Sequence, residues 1–239
     1  TTLDIGGTNV TSTAAELNIL DGVTSTAAEL NILDGVTSTA AELNILDGVT
    51  STATELNLLD GAGTLKEVGK ESIWIPAAAM YPSTTNPCSD LTQVETTALR
   101  PDLKCLDFAT GADDFAQFSI AFPKSWNEGT VTFQPFWTVT GTNTGTVAWG
   151  LAGIAVSNDD SINTAFGTIV VTTALAHSGT SNDLMVSVES GAVTIAGSPA
   201  ANDVCFFQVN RDVSADNQSG DARLLGIKLF FTTDAKNDA

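Results

Sequence analysis

The sequence is poor in basic side chains: nine Lys and Arg stand against 28 Asp and Glu, and the net charge at pH 7 is -19. Proteins that hold nucleic acid neutralise its phosphates with clustered Lys and Arg, so we expect no nucleic-acid partner. The same acidic charge would repel an anionic membrane surface. The charge therefore argues against two large classes of partner and favours a protein that stays dissolved in a crowded assembly.

Cysteine and histidine are also scarce, with three Cys and one His in 239 residues. Cys88, Cys105 and Cys205 cannot all pair within one chain, and no C-x-x-C motif is present, so neither a disulfide framework nor a zinc site is predicted. We expect three buried free thiols. His177 lies in the polar loop "AHSGTSND" with no second histidine or nearby cysteine, which predicts an exposed residue without a catalytic or metal-binding role.

Long hydrophobic runs are missing as well. The longest, Val147 to Val156, has about half the length that a membrane-spanning helix requires, and no signal peptide opens the chain. The apolar fraction of 43% is nevertheless ordinary for a globular protein. We therefore expect a soluble protein with a real core and no membrane insertion.

What the sequence has in abundance is repetition. Residues 10–61 contain one 13-residue unit four times, as "VTSTAAELNILDG" in three copies and "VTSTATELNLLDG" in the fourth. In the first copy, Thr13 and Glu16 have the Thr-x-x-Glu spacing of a capping box, which predicts a helix beginning at Ala14 and ending near Asp21-Gly22. The alternative is a tight hairpin around Asp21-Gly22. The helix is favoured because the Thr-x-x-Glu spacing recurs in every copy, and a hairpin does not require that spacing.

A helix of about two turns is not stable alone, and each unit has only about four apolar side chains and no means of burying them by itself. Parallel copies of the chain around a common axis would bury them. The repeats therefore predict an oligomeric stalk, which we expect to be trimeric. The residues predicted to pack in the stalk are Leu17, Ile19, Leu20, Leu30, Leu33, Leu43, Leu46, Leu56 and Leu59.

The segments on either side of the repeats differ from them in sequence pattern. Residues 1–9 are predicted to be extended. Their "LDIGGTN" resembles the phosphate-binding turn of hexokinase-type sugar kinases, but repeats follow instead of an α/β domain, so a simple Gly-Gly bend is favoured. Residues 62–71 show no periodicity and contain Gly63 and Gly69, which predicts a linker.

Residues 72–239 change to short β-rich runs separated by turns. Alternation is clear in Phe118-Ile120-Phe122 and in Cys205-Phe207-Val209, where apolar side chains fall on one face. Such runs predict a mainly β domain, an antiparallel β-sandwich of the jelly-roll kind. Pro135 would break a central ladder, so its strand is predicted to lie at an edge or to contain a bulge. The nine runs are "SIWIPAA", "KCLDFA", "FAQFSIAF", "TVTFQPFWTVT", "TVAWGLAGIAV", "GTIVVTT", "DLMVSVES", "DVCFFQVNRDV" and "ARLLGIKLFFTT".

Candidate sites in this domain are weak. The adjacent pairs Asp113-Asp114 and Asp159-Asp160 do not suit the carboxylate separation of a glycosidase, and "NDDS" at 158–161 lacks the alternating spacing of a calcium loop. We therefore predict no catalytic, cofactor-binding or metal-binding residues. Trp137 and Trp149 lie in apolar runs and are predicted to be in the core. Trp126, in the loop "PKSWNEG", is the candidate for a surface contact, although packing is favoured there too.

The sequence of the repeat also resembles that of a known class of proteins. "TSTAAELNILDGVTSTAAELNILDG" resembles the tandem T-A-A-E-L-N-x-L-D-G phrases of tail fibres and related appendages of tailed bacteriophages, particularly those of marine hosts. "FPKSWNEGTVTFQPFWT" and "DARLLGIKLFFTTDA" look like the C-terminal domain of the same kind of protein. The resemblance implies a non-enzymatic homotrimer, a fibre or spike, with an attachment end and an exposed head.

That resemblance also implies a location and partners. The chain would be assembled in the host cytoplasm and carried on the virion, in contact with other virion structural proteins, on either the tail or the capsid. Two alternatives remain open for the head. One is an adhesin that binds a glycan or protein of the host surface, which exposed aromatic residues in a groove would favour. The other is a glycan depolymerase, which would need a facing acidic pair in a cleft.

Overall fold

The computed structural model describes residues 3–45, 47–53 and 69–234. The chain divides into two compact units, Thr1–Asp60 and Gly61–Ala239. Among the helices in the described residues, none combines the length and apolar composition that crossing a bilayer requires.

The first unit opens with a small hairpin in which β1 (Asp4–Ile5) pairs antiparallel with β2 (Thr8–Asn9). Gly6 and Gly7 form the turn with φ values of 63° and 83°, a left-handed conformation that glycine adopts without steric cost. The N–H of Gly7 donates to Oδ1 of Asp4 at 2.9 Å. The predicted Gly-Gly bend is thus the turn of a two-stranded hairpin.

Each described repeat copy contains one six-residue helix: α1 (Ala14–Ile19), α2 (Ala27–Ile32) and α3 (Ala40–Ile45). In the first copy the N–H of Thr13 donates to Oε2 of Glu16 at 2.7 Å, and the N–H of Glu16 donates to Oγ1 of Thr13 at 3.2 Å. The second and third copies repeat both bonds. The predicted helices and capping boxes are confirmed, and the hairpin alternative is wrong for these three copies.

The capping boxes make the repeats sensitive to acid. The pKa values of Glu16, Glu29 and Glu42 are lowered because the backbone N–H and then the hydroxyl of each cap threonine donate to the charged carboxylate. A carboxyl group whose pKa is lower in the folded state contributes stability above its unfolded pKa, near 4.5, and loses it as the pH falls through the folded value. We expect helical circular dichroism to decrease as the pH falls from about 5 to about 3.

The matched control for this prediction replaces all three glutamates by Gln, which keeps the capping-box geometry without a titrating group. The acid-induced loss of helical signal should be smaller in that variant than in the wild type. Equal losses in the two proteins would show that the capping boxes do not cause the pH dependence.

The second unit is built from strands, with a short 3-10 helix at Ala77–Ala79. Its strands are β3 (Gly69–Pro76), β4 (Tyr81–Pro82), β5 (Thr92–Glu95), β6 (Asp102–Phe108), β7 (Phe115–Ile120), β8 (Thr132–Val139), β9 (Thr146–Val147), β10 (Trp149–Val156), β11 (Val170–Val171), β12 (Leu175–Ala176), β13 (Met185–Val186), β14 (Ile195–Ala196), β15 (Val204–Arg211) and β16 (Ala222–Thr233). Each of the nine predicted runs contains a strand. Four short strands, β4, β5, β12 and β14, lie outside those runs, and β3 begins at Gly69, so the predicted linker at 62–71 extends three residues too far.

These strands form two six-stranded sheets and a small β9–β12 ribbon. Sheet 1 has the order β11-β10-β15-β7-β4, with β14 also on β10, and sheet 2 has the order β13-β8-β16-β6-β5, with β3 also on β16. All pairings between these strands are antiparallel except that of β10 with β14. The sheets pack face to face, since the rings of Phe108 in sheet 2 and Trp149 in sheet 1 have centroids 5.1 Å apart. The predicted mainly β, antiparallel sandwich is confirmed.

The core lies between the two sheets and follows the predicted alternation. Phe118 and Phe207 stack with ring centroids 5.1 Å apart, and Cys205 and Val209 point inward beside Phe207. Trp137 and Trp149 are fully buried, as predicted. Burying a large apolar side chain contributes about 1.5 to 3 kcal/mol, so these rings anchor the sandwich.

Pro135 occupies a position that the sequence predicted only approximately. Its strand, β8, lies between β16 and the two-residue strand β13. The N–H of Ser187 donates to the carbonyl of Pro135 at 3.0 Å, so the missing N–H of Pro135 falls on the β13 side, because both backbone groups of a strand residue point to the same neighbour. The prediction of an edge strand or a bulge at Pro135 is therefore wrong in detail: the irregularity in register lies in β16, between Leu224 and Gly226.

The three cysteines and the single histidine are buried. All three cysteines are free and buried, as predicted, and burial raises the pKa values of Cys88 and Cys205 to about 12. His177 is only 3% exposed, with Nδ1 3.0 Å from the carbonyl oxygen of Asn143 and its ring 6.1 Å from that of Trp137. The expectation of an exposed His177 is wrong, because its loop folds back on the edge of the sandwich.

Candidate functional sites

The repeats carry a periodic apolar surface. None of the residues in the three described helices is buried. Ile19, Ile32 and Ile45 are 74%, 76% and 75% exposed, so each of the three described copies presents the same side chain to the same extent. We call the whole set the repeat surface; it consists of Leu17, Ile19, Leu20, Val23, Leu30, Ile32, Leu33, Val36, Leu43, Ile45 and Val49.

Six of the predicted stalk residues belong to the repeat surface, namely Leu17, Ile19, Leu20, Leu30, Leu33 and Leu43. Leu46, Leu56 and Leu59 lie outside the described residues. In a single chain the six described side chains face solvent, and their packing at an oligomer axis stays a prediction.

The charge of the repeats limits what can cover this surface. Each copy contains one Glu and one Asp, and residues 10–61 contain no Lys or Arg. Copies of the array therefore cannot be joined to one another by ion pairs, and their like charges repel. We therefore expect self-association of the repeats to depend on the apolar side chains, and salt should strengthen it by screening the repulsion.

The β-sandwich has a second candidate site, on the outer face of sheet 1. There Tyr81 pairs with Gln117 across β4 and β7, and Ile154 pairs with Phe206 across β10 and β15. Two depressions of about 310 and 360 Å³ lie on this face and share Ile162 and Phe206 in their linings. We call the two together the sheet 1 groove.

One wall of the groove is the segment after β10, residues 157–166. Its Gly167 end is tied to β10, because the N–H of Gly167 donates to the carbonyl of Gly153 at 3.1 Å. Within the segment, the N–H of Ser157 donates to Oδ2 of Asp160 at 3.2 Å. A Cβ on Gly167 would approach the carbonyl oxygen of Thr194 to 3.0 Å, so glycine permits this close approach. The wall is therefore attached to sheet 1 at Gly167.

The acidic pairs Asp113-Asp114 and Asp159-Asp160 lie in loops, where carboxylates of both pairs accept hydrogen bonds from the backbone. Asp113 accepts the N–H of Val213 at 3.0 Å, Asp114 accepts the N–H of Ala109 at 2.8 Å, and Asp160 accepts that of Ser157. Within the described ranges, no group of three or more His, Cys, Asp or Glu is arranged to hold a metal ion. Neither the glycosidase nor the calcium alternative gains support from these contacts.

Trp126 does not provide the surface contact for which it was a candidate. It is 5% exposed and stacks on Phe122 with ring centroids 4.1 Å apart. Its loop is drawn onto the sandwich because the N–H of Asn127 donates to the carbonyl of Thr232 at 3.0 Å. The packing interpretation favoured for this residue is confirmed, and the surface contact is wrong for the described chain.

The exposed aromatic residues are instead Trp74 and Tyr81, at 47% and 48%. Trp74 lies on the outer face of sheet 2, edge-on to Phe136 at 5.1 Å. A Cβ on Gly226 would come within 2.6 Å of the indole, so the glycine makes room for it. A glycine inside the run "LLGIKL" is a sequence signal for such an approach.

Comparison with known proteins gives only distant structural similarity. No family model and no curated protein matches the chain. Among solved structures, an arabinose-bound GH51 α-L-arabinofuranosidase aligns with 66% of this chain and 24% of its own at 13% identity and a TM-score of 0.40. A family 35 carbohydrate-binding module from Clostridium thermocellum aligns with 66% of this chain and 97% of its own at 8% identity and a TM-score of 0.38.

A third structure, the xylan-binding domain from CBM 22, aligns with 68% of this chain and 94% of its own at 10% identity and a TM-score of 0.38. The alignment thus covers about a quarter of the arabinofuranosidase chain and nearly all of the two binding modules. Identities and scores at this level assign neither an activity nor a ligand to this chain.

Proposed function

We propose that the chain is a non-enzymatic structural appendage of a virion, a homotrimeric fibre or spike in which the repeats form the stalk and the β-sandwich is the head. The observation that carries the proposal is the repeat surface, which presents the same apolar side chains at the same exposure in every described copy. Exposed apolar side chains that recur in this way indicate a site of association.

The energetics of a single copy support association. A six-residue helix has too few hydrogen bonds to offset the cost of nucleation, and the described helices bury none of their residues. Burying a Leu or Ile side chain contributes about 1.5 to 3 kcal/mol. Three or four such side chains per copy, repeated along the array, would stabilise helices that are marginal alone.

The symmetry of the proposed oligomer follows from the repeat. Copies of one chain that lie parallel and in register bring equivalent side chains to the same height on the axis, so every 13-residue unit makes the same closed set of contacts. A trimer surrounds an axis with apolar side chains while the acidic residues face water. The assignment to a virion, with other virion proteins as partners, is supported by the resemblance of the repeat sequence to the tandem repeats of tailed-bacteriophage fibres.

Light scattering on the purified chain tests this proposal. We expect a mass three times that of one chain at micromolar concentration, and no dissociation when the salt concentration is raised, because salt screens the acidic repulsion between copies. A stable monomer would overturn the stalk assignment. A dimer would retain self-association and overturn the trimer.

A further inference from the structure

We propose that the sheet 1 groove is a binding site for a neutral oligosaccharide. This goes beyond the assembly role, since it concerns the head alone and rests on the chemistry of the groove lining.

The groove offers aromatic faces. Tyr81 is 48% exposed at one end, and the partly buried rings of Phe166 and Phe206 line the same depression. A sugar ring has C–H groups on its faces and hydroxyls around its edge, so it can lie on an aromatic ring without losing the solvation of its hydroxyls. Binding sites for such small molecules are largely apolar, with a few polar groups that fix orientation.

The groove also offers polar groups without a protein partner. In the described part of the chain, the side-chain amides of Gln117, Asn158 and Asn202 make no hydrogen bond with protein. An amide has N–H donors and an acceptor oxygen, which matches a hydroxyl group that both donates and accepts. Three free amides beside aromatic rings suit a ligand that is rich in hydroxyls.

Charge decides which saccharides fit. No Lys, Arg or His lines either depression, and Asp160 is the one charged residue among those that do. The chain as a whole carries a net charge of -19. A phosphorylated, sialylated or uronic-acid ligand would meet repulsion without a compensating cation, so the expected ligand is uncharged.

The groove is shaped for more than a single ring. The two depressions adjoin at Ile162 and Phe206, and residues 157–166 wall them on one side. A short linear chain of sugars would contact Tyr81 at one end and the amides of Asn158 and Asn202 at the other. Because the Gly167 end of the wall is fixed to β10, the entropy lost on ordering the wall should be reduced.

Titration calorimetry on the full chain tests the inference. The probes are neutral hexasaccharides, namely those of xylan, laminarin, cellulose, mannan and maltodextrin, with hexagalacturonate and sialyllactose as anionic comparisons. We expect at least one neutral probe to bind and neither anionic probe to do so. Tyr81→Ala and Gln117→Ala should each weaken that binding by roughly three- to tenfold, and Tyr81→Phe should retain most of it.

Trp74→Ala is the matched control, because it removes an equally exposed aromatic residue from the opposite sheet. It should leave saccharide binding unchanged. Absence of binding across all neutral probes, stronger binding of an anionic probe, or equal loss in Trp74→Ala and Tyr81→Ala would each overturn the inference.

Light scattering on the same variants separates this inference from the assembly role. A Tyr81→Ala chain of unchanged mass that has lost saccharide affinity supports a ligand site in the groove. If Tyr81→Ala instead changes the oligomer mass, the groove is a contact between copies and the inference is wrong. A wild-type monomer that binds a neutral saccharide would overturn the stalk and leave the groove assignment standing.

Discussion

Replacing Leu17, Leu30, Leu43 and Leu56 by Ala is expected to convert the assembled chain into monomers while the β-sandwich stays folded. Each leucine that is buried at an interface loses about 2 to 5 kcal/mol when it is truncated, and the same loss occurs in every chain of the oligomer. Light scattering measures the mass, and near-ultraviolet circular dichroism from the buried Trp137 and Trp149 reports on the head.

This substitution separates an interface from a monomeric structure because of where the leucines lie. Leu17 and Leu43 are both 41% exposed in the single chain, so an isolated chain would lose little stability when they are truncated. A large loss can arise only if another molecule covers them. If the variant keeps both its oligomer mass and its unfolding temperature, the repeat surface is not the interface.

The matched control replaces Asn18, Asn31, Asn44 and Asn57 by Ala. These residues follow the leucines directly and are polar, and Ala has a higher helix propensity than Asn. Their substitution should leave the oligomer mass unchanged. A loss of assembly in this control as well would indicate that the helices respond to any change of side chain.

The parts of the fold that the sequence predicted depend on local interactions. The capping box of Thr13 and Glu16 is complete within four residues, so its geometry follows from the spacing alone. The inward series Cys205, Phe207 and Val209 likewise follows from the two-residue period of a strand. By contrast, β5 (Thr92–Glu95) was missed because the sequence "TQVE" has a single apolar residue and no strong alternation.

The contacts that bury loop residues could not be predicted because they join positions distant in sequence. Trp126 is buried since its loop bonds to the carbonyl of Thr232, and His177 is buried against Trp137 and Asn143. Polar neighbours in the sequence of its loop suggested exposure of His177, whereas packing was already the favoured interpretation for Trp126. Their burial follows instead from which strand the loop packs against, and no local pattern encodes that choice.

The sheet 1 groove was also missed, because Tyr81 and Phe206 are brought together only by the order β15-β7-β4. One signal was available. In β15, Val204 and Phe206 are apolar although they alternate with the inward residues Cys205 and Phe207. A sandwich strand that is apolar on both faces has an outer face that is covered or that binds a ligand, and that pattern indicates the outer face of sheet 1.

Deleting one whole repeat copy, residues 23–35, is expected to leave an assembled protein with a shorter stalk. The junction after the deletion reads Asp-Gly-Val-Thr-Ser-Thr, as at every other boundary between copies, so the cap, the left-handed glycine and the apolar spacing are all retained. Light scattering should give the same number of chains, and electron micrographs should show a fibre shortened by one step.

Deleting only residues 23–29 is the matched control, and we expect it to disrupt assembly. That deletion removes Thr26 and Glu29, whose mutual hydrogen bonds cap α2, and places Leu30 directly after Gly22. All later copies then shift by about half a unit against the first, which would bring Glu and Asn side chains to the axis, where an unpaired charge is costly. If the half-copy deletion assembles and the whole-copy deletion does not, the copies are not interchangeable, and the repeats do not serve as units of length.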